Sequence, residues 1–561
     1  MALTRKQALK AALAAVATGT LSQEGEAQQT APAGSPLTVD DLKAFEHVAG
    51  IEFTEEERTQ ALRAVNGRRQ AFNALRQQVP DGLPDPHTLF TPLGGGSRPG
   101  SKVRAHASPT GKLNAGKLSD EQIAFLNIRE LGALLRSGQI TSTRLTRIYL
   151  ERLKRYGDKL LCLVTLTEDL ALEHATQADA EMQQGKVRGP LHGIPFGVKD
   201  LFATKGIPTQ WGAAPYAGQV FDHDAMVVRR LEEAGAVLCA KLSLGSLAMG
   251  DVWDKGVTRN PWNPKEGSSG SSAGSACATS AGLVAFAIGT ETQGSITSPS
   301  MQCRVTGLRP TYGRVSRYGA MELSYTMDKI GPICREAEDC ALVFAAICGA
   351  DPRDPSSVDR SFTWPPKVDF ARLKIGYLLG HDEKNPEAKL DTEPILKFLK
   401  ARGAHLRPLK LTPLPGPCSL ILEVEGASAF DALTRSGHVN EVKNSAWPQI
   451  FRAGRYVPAV EYLQAQRLRR QAMVRCEEEL GDLDLFVSYG IGEYTVPLVN
   501  QCGYPQVIIP QGTTLRGENT LPLSYSFTGR FYQEELILAV AKAFQQQGDF
   551  HRRHPDLSVL A

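Results

Sequence analysis

The segment that most limits how this chain folds is Gly267-Ser-Ser-Gly-Ser-Ser-Ala-Gly-Ser275. Taken alone, a run of glycine and serine reads as a flexible linker. Its neighbours argue otherwise. It passes directly into Ala276–Gly282, whose small residues suit a buried helix, and then into Leu283–Ile288, which reads as a buried strand. The run is therefore a loop inside a core. The strand ends in Gly289-Thr-Glu-Thr-Gln-Gly-Ser295-Ile296. A Gly-Ser turn at a strand end presents a hydroxyl beside several free backbone N–H groups, which suits a nucleophile with an oxyanion hole.

Upstream, Gly189-Pro-Leu-His-Gly-Ile-Pro-Phe-Gly-Val-Lys199-Asp200 sets a lysine at the end of an apolar strand, Ile194–Val198, within a Gly/Pro frame. Most lysines lie on surfaces. One carried by a hydrophobic strand is expected to be partly buried, where desolvation lowers its pKa and lets it act as a base. The neighbouring Asp200 carboxylate is expected to push that pKa back up.

Further strand-like runs, Leu160–Leu166 and Ala236–Ala240, alternate with amphipathic helices over Ile128–Leu135 and Thr141–Tyr156. Ser119-Asp120-Glu121 reads as another helix start. After a Pro/Asp/Ser-rich connection, Asp351–Pro366, come a long helix, Ala459–Leu480, and the strands Leu485–Val487 and Val507–Ile509. Such alternation predicts an α/β fold with a sheet between helical layers. Ahead of it, Thr38–Gln78 has helical spacing, with Thr54 as a cap followed by three glutamates, and Pro80–Pro109 reads as loop.

Composition removes several function classes. Lys plus Arg is 63 against 60 for Asp plus Glu, so a net charge of +3 gives no preference for nucleic acid or an anionic membrane. No apolar run reaches the ~18 residues of a membrane span. The 10 cysteines are scattered without a Cys-x-x-Cys pair and read as small buried hydrophobes, and the 11 histidines show no zinc spacing. Gly111–Lys117 approaches a phosphate-binding loop, but Leu118 stands where a hydroxyl would hold magnesium. Gly270-Ser-Ser-Ala-Gly274 has the spacing of a nucleophile elbow, yet a turn-rich polar segment, Asn260–Gly267, precedes it where that motif needs a strand.

Three motifs in this order, Gly189–Asp200, the Ser-rich loop, and Gly289–Ile296 followed by Thr306-Gly-Leu-Arg-Pro-Thr-Tyr-Gly-Arg-Val-Ser316, resemble the amidase signature family, which includes bacterial amidases and the A subunit of glutamyl-tRNA amidotransferase. The likeness covers roughly Leu118 to Pro555. It implies a mixed central sheet covered by helices on both sides. It also implies a Ser-cisSer-Lys triad with Lys199 as base, Ser271 as bridging serine after a cis peptide bond, and Ser295 as nucleophile. The N–H groups of Thr292, Gln293, Gly294 and Ser295 would form the oxyanion hole. The implied activity is cleavage of a carboxylic amide, or an ester, through an acyl-enzyme, without metal or cofactor. Two alternatives are an A-type subunit releasing ammonia for tRNA-dependent transamidation and a catalytically weak binding homologue. Where the family reads Asp-x-Gly-Gly-Ser-Ile-Arg, this chain reads Glu291-Thr-Gln293-Gly-Ser-Ile-Thr297. Gln293 then needs a negative or mildly left-handed φ. Thr297 lacks the charge that usually braces the site.

Residues 1–27 join a basic start, Thr4–Lys10, to an apolar stretch, Ala11–Leu21, and small residues near Ala27. This is the order of an export signal, here twin-arginine-like with a lysine in place of the second arginine. The expected organisation is this signal, a linker and helical extension over 28–117, and a catalytic domain over 118–561. The expected location is periplasmic or secreted, with the cytoplasm as the alternative. The expected partner is a small-molecule amide, with no direct contact to nucleic acid or membrane and with a homodimer left open.

Overall fold

Eleven strands of one sheet are present among the described residues of this computed structural model, which are 35–78, 101–378, 386–492, 495–516 and 519–560. In chain order they are β1 Leu163–Leu166, β2 Pro195–Lys199, β3 Val237–Leu242, β4 Phe286–Glu291, β5 Thr306–Arg309, β6 Lys329–Cys334, β7 Lys374–Leu378, β8 His405–Leu409, β9 Leu485–Tyr489, β10 Gln506–Arg516 and β11 Asn519–Gly529. Their spatial order is β8-β7-β9-β11-β10-β5-β6-β4-β2-β3-β1. The run β4-β2-β3 is parallel, and β6 joins β4 antiparallel, so the sheet is mixed. Every residue of β2, β3 and β4 is buried, as expected of central strands covered on both faces.

Helices flank the sheet. They include α1 Ser142–Tyr156, α2 Glu168–Gln183, α3 Ala273–Ser280, α4 Thr297–Gln302 and α5 Ala337–Ile347. Thr141 caps α1 by accepting the Arg144 N–H at 3.1 Å. Helix α3 is buried along its whole length because its residues are small. At Gly274 a Cβ would collide with the backbone of Ser243 and Cys162, so only glycine lets the helix come this close to β3. The α/β class and mixed sheet agree with the expectation from sequence.

Some local readings need correction. Leu283–Ala285 complete the helix-to-strand turn, and the strand runs on through Gly289–Glu291 because these pair with Lys329–Gly331 of β6. Val103–Ala105, within the expected loop, and Phe362–Trp364, within the expected connection, pair as a short parallel ribbon. Three residues are too few to show an alternation, and each strand exists only through its partner. All ten cysteines are buried, and none is in a disulfide.

Two compact units emerge from the contacts. One comprises Phe90–Met321, Met327–Thr412 and Glu479–Ala561 and holds the whole sheet; the other comprises Met1–Leu89, Glu322–Thr326 and Pro413–Glu478. In the second, Leu42, Ala61 and Val65 from the N-terminal helices Val39–Ala49 and Glu55–Gln78, and Phe53 from the connection between them, pack with Ala453 and Tyr456. Arg58 pairs with buried Glu46 at 2.8 Å, and Arg68 with Glu423 at 2.6 Å. This core is small, so Phe53→Ala is expected to cost about 3–5 kcal/mol of the unit's stability. A urea melt that matched wild type would contradict the packing described. The expected export signal lies outside the described residues. Among those residues, no helix is long and apolar enough to cross a membrane.

Candidate functional site

Strand register assembles the site. Strands β2 and β4 are parallel neighbours with Val198 level with Ile288, so Lys199 and Thr290 leave the sheet at the same end. The Ser-rich loop folds over that end. Gly289 permits the approach, since a Cβ there would lie 2.6 Å from the Ser272 hydroxyl. The loop is pinned to the strand, with the Thr290 N–H donating to Ser272 Oγ and Ser272 Oγ donating to the Thr290 carbonyl, both at 3.1 Å.

Lys199 is fully buried. Its Nζ donates to Ser271 Oγ at 2.8 Å, Thr290 Oγ1 at 2.9 Å and Ser272 Oγ at 3.2 Å. Burial lowers its pKa to about 7, against the opposing pull of the Asp328 and Glu291 carboxylates. The expectation about Asp200 is corrected here. That carboxylate lies 3.1 Å from Lys241 Nζ and accepts the Gln210 N–H at 3.0 Å, so its charge is compensated locally.

The Gly270–Ser271 peptide bond is cis. Ser271 is buried, and Ser295 is half-buried. Two contacts tie the loop to the turn that carries Ser295. Ser272 N donates to the Ser295 carbonyl at 3.0 Å, and the hydroxyls of Ser269 and Ser298 lie 2.7 Å apart. Ala276, Ile296, Cys303, Val305 and Ile333 form the apolar cluster behind the turn.

The backbone N–H groups of Thr292, Gln293, Gly294 and Ser295 have no hydrogen-bond acceptor among the described residues. Gln293 keeps a negative φ, and the left-handed angle, +94°, falls on Gly294. The condition set by placing glutamine at 293 is thus met. The Gln293 amide lies 3.9 Å from Met327 Sδ, and Thr292 Oγ1 donates to Asp328 at 2.5 Å.

Sequence reasoning missed the bracing of this turn. Glu291 is buried and accepts the N–H groups of Ile296 and Thr297, each at 2.8 Å, and the Thr297 hydroxyl at 3.1 Å. Its other oxygen meets Arg309 Nη1 at 2.7 Å. Burial pushes the Glu291 pKa up, but Arg309 and the Thr297 N–H outweigh it and hold the carboxylate at about 2. A positive charge thus reaches this carboxylate from β5. Arg309 lies in the Thr306–Ser316 motif, but only the β4-β6-β5 strand order reveals whom it faces. Ser272 and Thr290 are likewise visible in the motifs, without a role assigned by local pattern.

Among the described residues, no group of three or more His, Cys, Asp or Glu is placed to hold a metal ion.

Residues 144–488 match the Amidase family, and the chain belongs to that family. It is similar to the A subunit of the glutamyl-tRNA(Gln) amidotransferase of Moorella thermoacetica, 31% identical over 78% of this chain and 100% of the relative. Among solved structures it is similar to the native peptide amidase of Stenotrophomonas maltophilia, with a TM-score of 0.68 and 28% identity over 77% of this chain and 98% of that one. The A subunit of the glutamyl-tRNA(Gln) amidotransferase of Thermotoga maritima matches with a TM-score of 0.63 and 26% identity, over 77% and 97% of the two chains.

Proposed function

We propose that this chain cleaves a carboxamide bond through an acyl-enzyme on Ser295. The observation that carries the reading is the buried Lys199, poised near neutrality and 2.8 Å from the Ser271 hydroxyl, on a loop bonded to the Ser295 turn. Neutral Lys199 takes a proton from Ser271, which takes one from Ser295 as its oxygen attacks the carbonyl carbon. The oxyanion is held by the N–H groups of residues 292–295. The proton returns along the same relay to the leaving nitrogen, which departs as the amine or as ammonia. Water then enters the acyl-enzyme by the reverse path. The test combines a fluorophosphonate probe with a panel of small, aryl and fatty amides, following ammonia or amine release. Labelling at Ser295 and turnover of at least one amide are expected. An unlabelled, folded protein would identify the catalytically weak homologue instead.

A second reading has the support of the curated relatives, which carry the name of an amidotransferase A subunit. In it the same acyl-enzyme releases ammonia from an amide donor for use on a charged tRNA held by partner proteins. Co-purification with such partners, and amide cleavage that accelerates in their presence, would favour it over the free amidase. The two readings also differ in location. Export as a free amidase predicts removal of the N-terminus near Ala27 in the native host. Intact Met1 or Ala2 on the mature cytosolic protein would exclude export and suit the second reading.

A further inference from the structure

We infer that Glu291 is a positioning residue for this reaction. Its buried carboxylate, clamped by Arg309, fixes the turn that presents Ser295 and adds to the charge field in which Lys199 exchanges its proton. This inference rests on the roles proposed above for Ser295 and Lys199.

The geometry is specific. Ile296 and Thr297, the two residues directly after Ser295, both point their N–H groups at one oxygen of Glu291. The Thr297 hydroxyl adds a third contact to the same oxygen. The other oxygen is committed to Arg309. Arg309 cannot follow a displaced carboxylate, because its guanidinium also donates to the Tyr504 carbonyl at 3.2 and 3.1 Å and to Gln506 Oε1 at 3.3 Å. The carboxylate thus links the turn to a rigid point on β5 and β10.

The field has identifiable sources. Facing Lys199 are Glu291 from β4 and Asp328 at the start of β6, and both favour its protonated form. Facing Glu291 are Arg309 from β5 and Lys329 from β6, the latter its register partner across the strands. Lys329 is itself buried, which lowers its pKa to about 7 so that it titrates in the same range as Lys199, and its Nζ donates to the carbonyls of Met327 and Asn500. Arg317 adds a further positive charge near Lys329. Because Glu291 stays ionised through the working pH range, it contributes a constant negative charge and does not switch.

The experiment uses the full chain, the amide that turns over best, and sites counted by fluorophosphonate titration. Glu291→Asp keeps the charge and shortens its reach. It is expected to lower kcat about 10- to 100-fold, as misplacement of a reacting group does, with KM and the pH midpoint of kcat/KM unchanged. Glu291→Gln removes the charge and is expected to lower kcat and also move that midpoint to lower pH. Should Arg309, left unpaired, prevent folding, E291Q/R309Q removes both charges and reads the loss in kcat, with a smaller midpoint shift because the two lost charges act on Lys199 with opposite sign. Thr297→Val, which deletes one contact to the carboxylate, is expected to lower kcat about two- to ten-fold, the size of one hydrogen bond. It decides the matter if no Glu291 variant folds. Titrated sites that turn over like wild type, with an unmoved midpoint, would overturn the inference and leave a purely structural pair. A wild-type protein that is not labelled would overturn the function it rests on, which is a separate result.

Discussion

Ser295→Ala is expected to abolish turnover and fluorophosphonate labelling together, leaving the thermal melt close to that of wild type. The hydroxyl sits on a half-buried turn whose backbone is held by other groups, with Ser272 N on the Ser295 carbonyl and Glu291 on the next two N–H groups. Removing one oxygen leaves those contacts in place. The loss in kcat is expected to be about 10⁴-fold or more, as for other nucleophiles in a relay. Ser271→Ala should approach the same loss, because Lys199 Nζ then has no hydroxyl through which to reach Ser295. Losses within one relay do not add. The double variant should therefore be little slower than either single one, and a double variant slower by the product of both would separate the two serines. Near-wild-type turnover by Ser295→Ala would remove the nucleophile from this position.

How much of this is legible in the chain follows from how far apart the interacting residues are. Lys199, Ser271 and Ser295 each sit in a local motif where glycine, proline and small residues mark an unusual backbone, so each stands out. Thr290 and Ser272 lie in the same motifs, but their contacts to Lys199 depend on the register of β2 against β4, which no local pattern encodes. Arg309, on β5, and Asp328, directly ahead of β6, follow the site in sequence and come next to it only through the β4-β6-β5 order. Asp200 misleads for the converse reason. It neighbours Lys199 in sequence, but it lies in the turn just past the end of β2, where its carboxylate meets Lys241 instead. The N-terminal helices show their periodicity and the Thr54 cap, where Glu57 accepts the Thr54 N–H at 2.9 Å. Their partners Ala453 and Tyr456 lie far along the chain and carry no signal of the pairing.

The pH profile should carry the largest signature of Lys199. A lysine with an ordinary pKa near ~10.4 is neutral in only about one molecule in two thousand at pH 7. With its pKa lowered to about 7, Lys199 is neutral in roughly half. The sign follows from the relay. The protonated form cannot accept the Ser271 proton, so kcat/KM should rise with pH along one limb, reach half its plateau near pH 7, and stay flat into the alkaline range. Asp328 and Glu291 set the limb above where burial alone would place it, because both stabilise the ammonium. Lys199→Arg keeps the charge and a donor toward Ser271, but a guanidinium gives up no proton at any working pH. It should lose the limb and about 10⁴-fold or more of the activity at once, the scale of removing a relay member. Lys199→Ala should lose a comparable amount for a different reason, the absence of any base. An Arg variant that stays active with the wild-type profile would mean that another group takes the proton, and the path from Ser271 would have to end elsewhere than at Lys199.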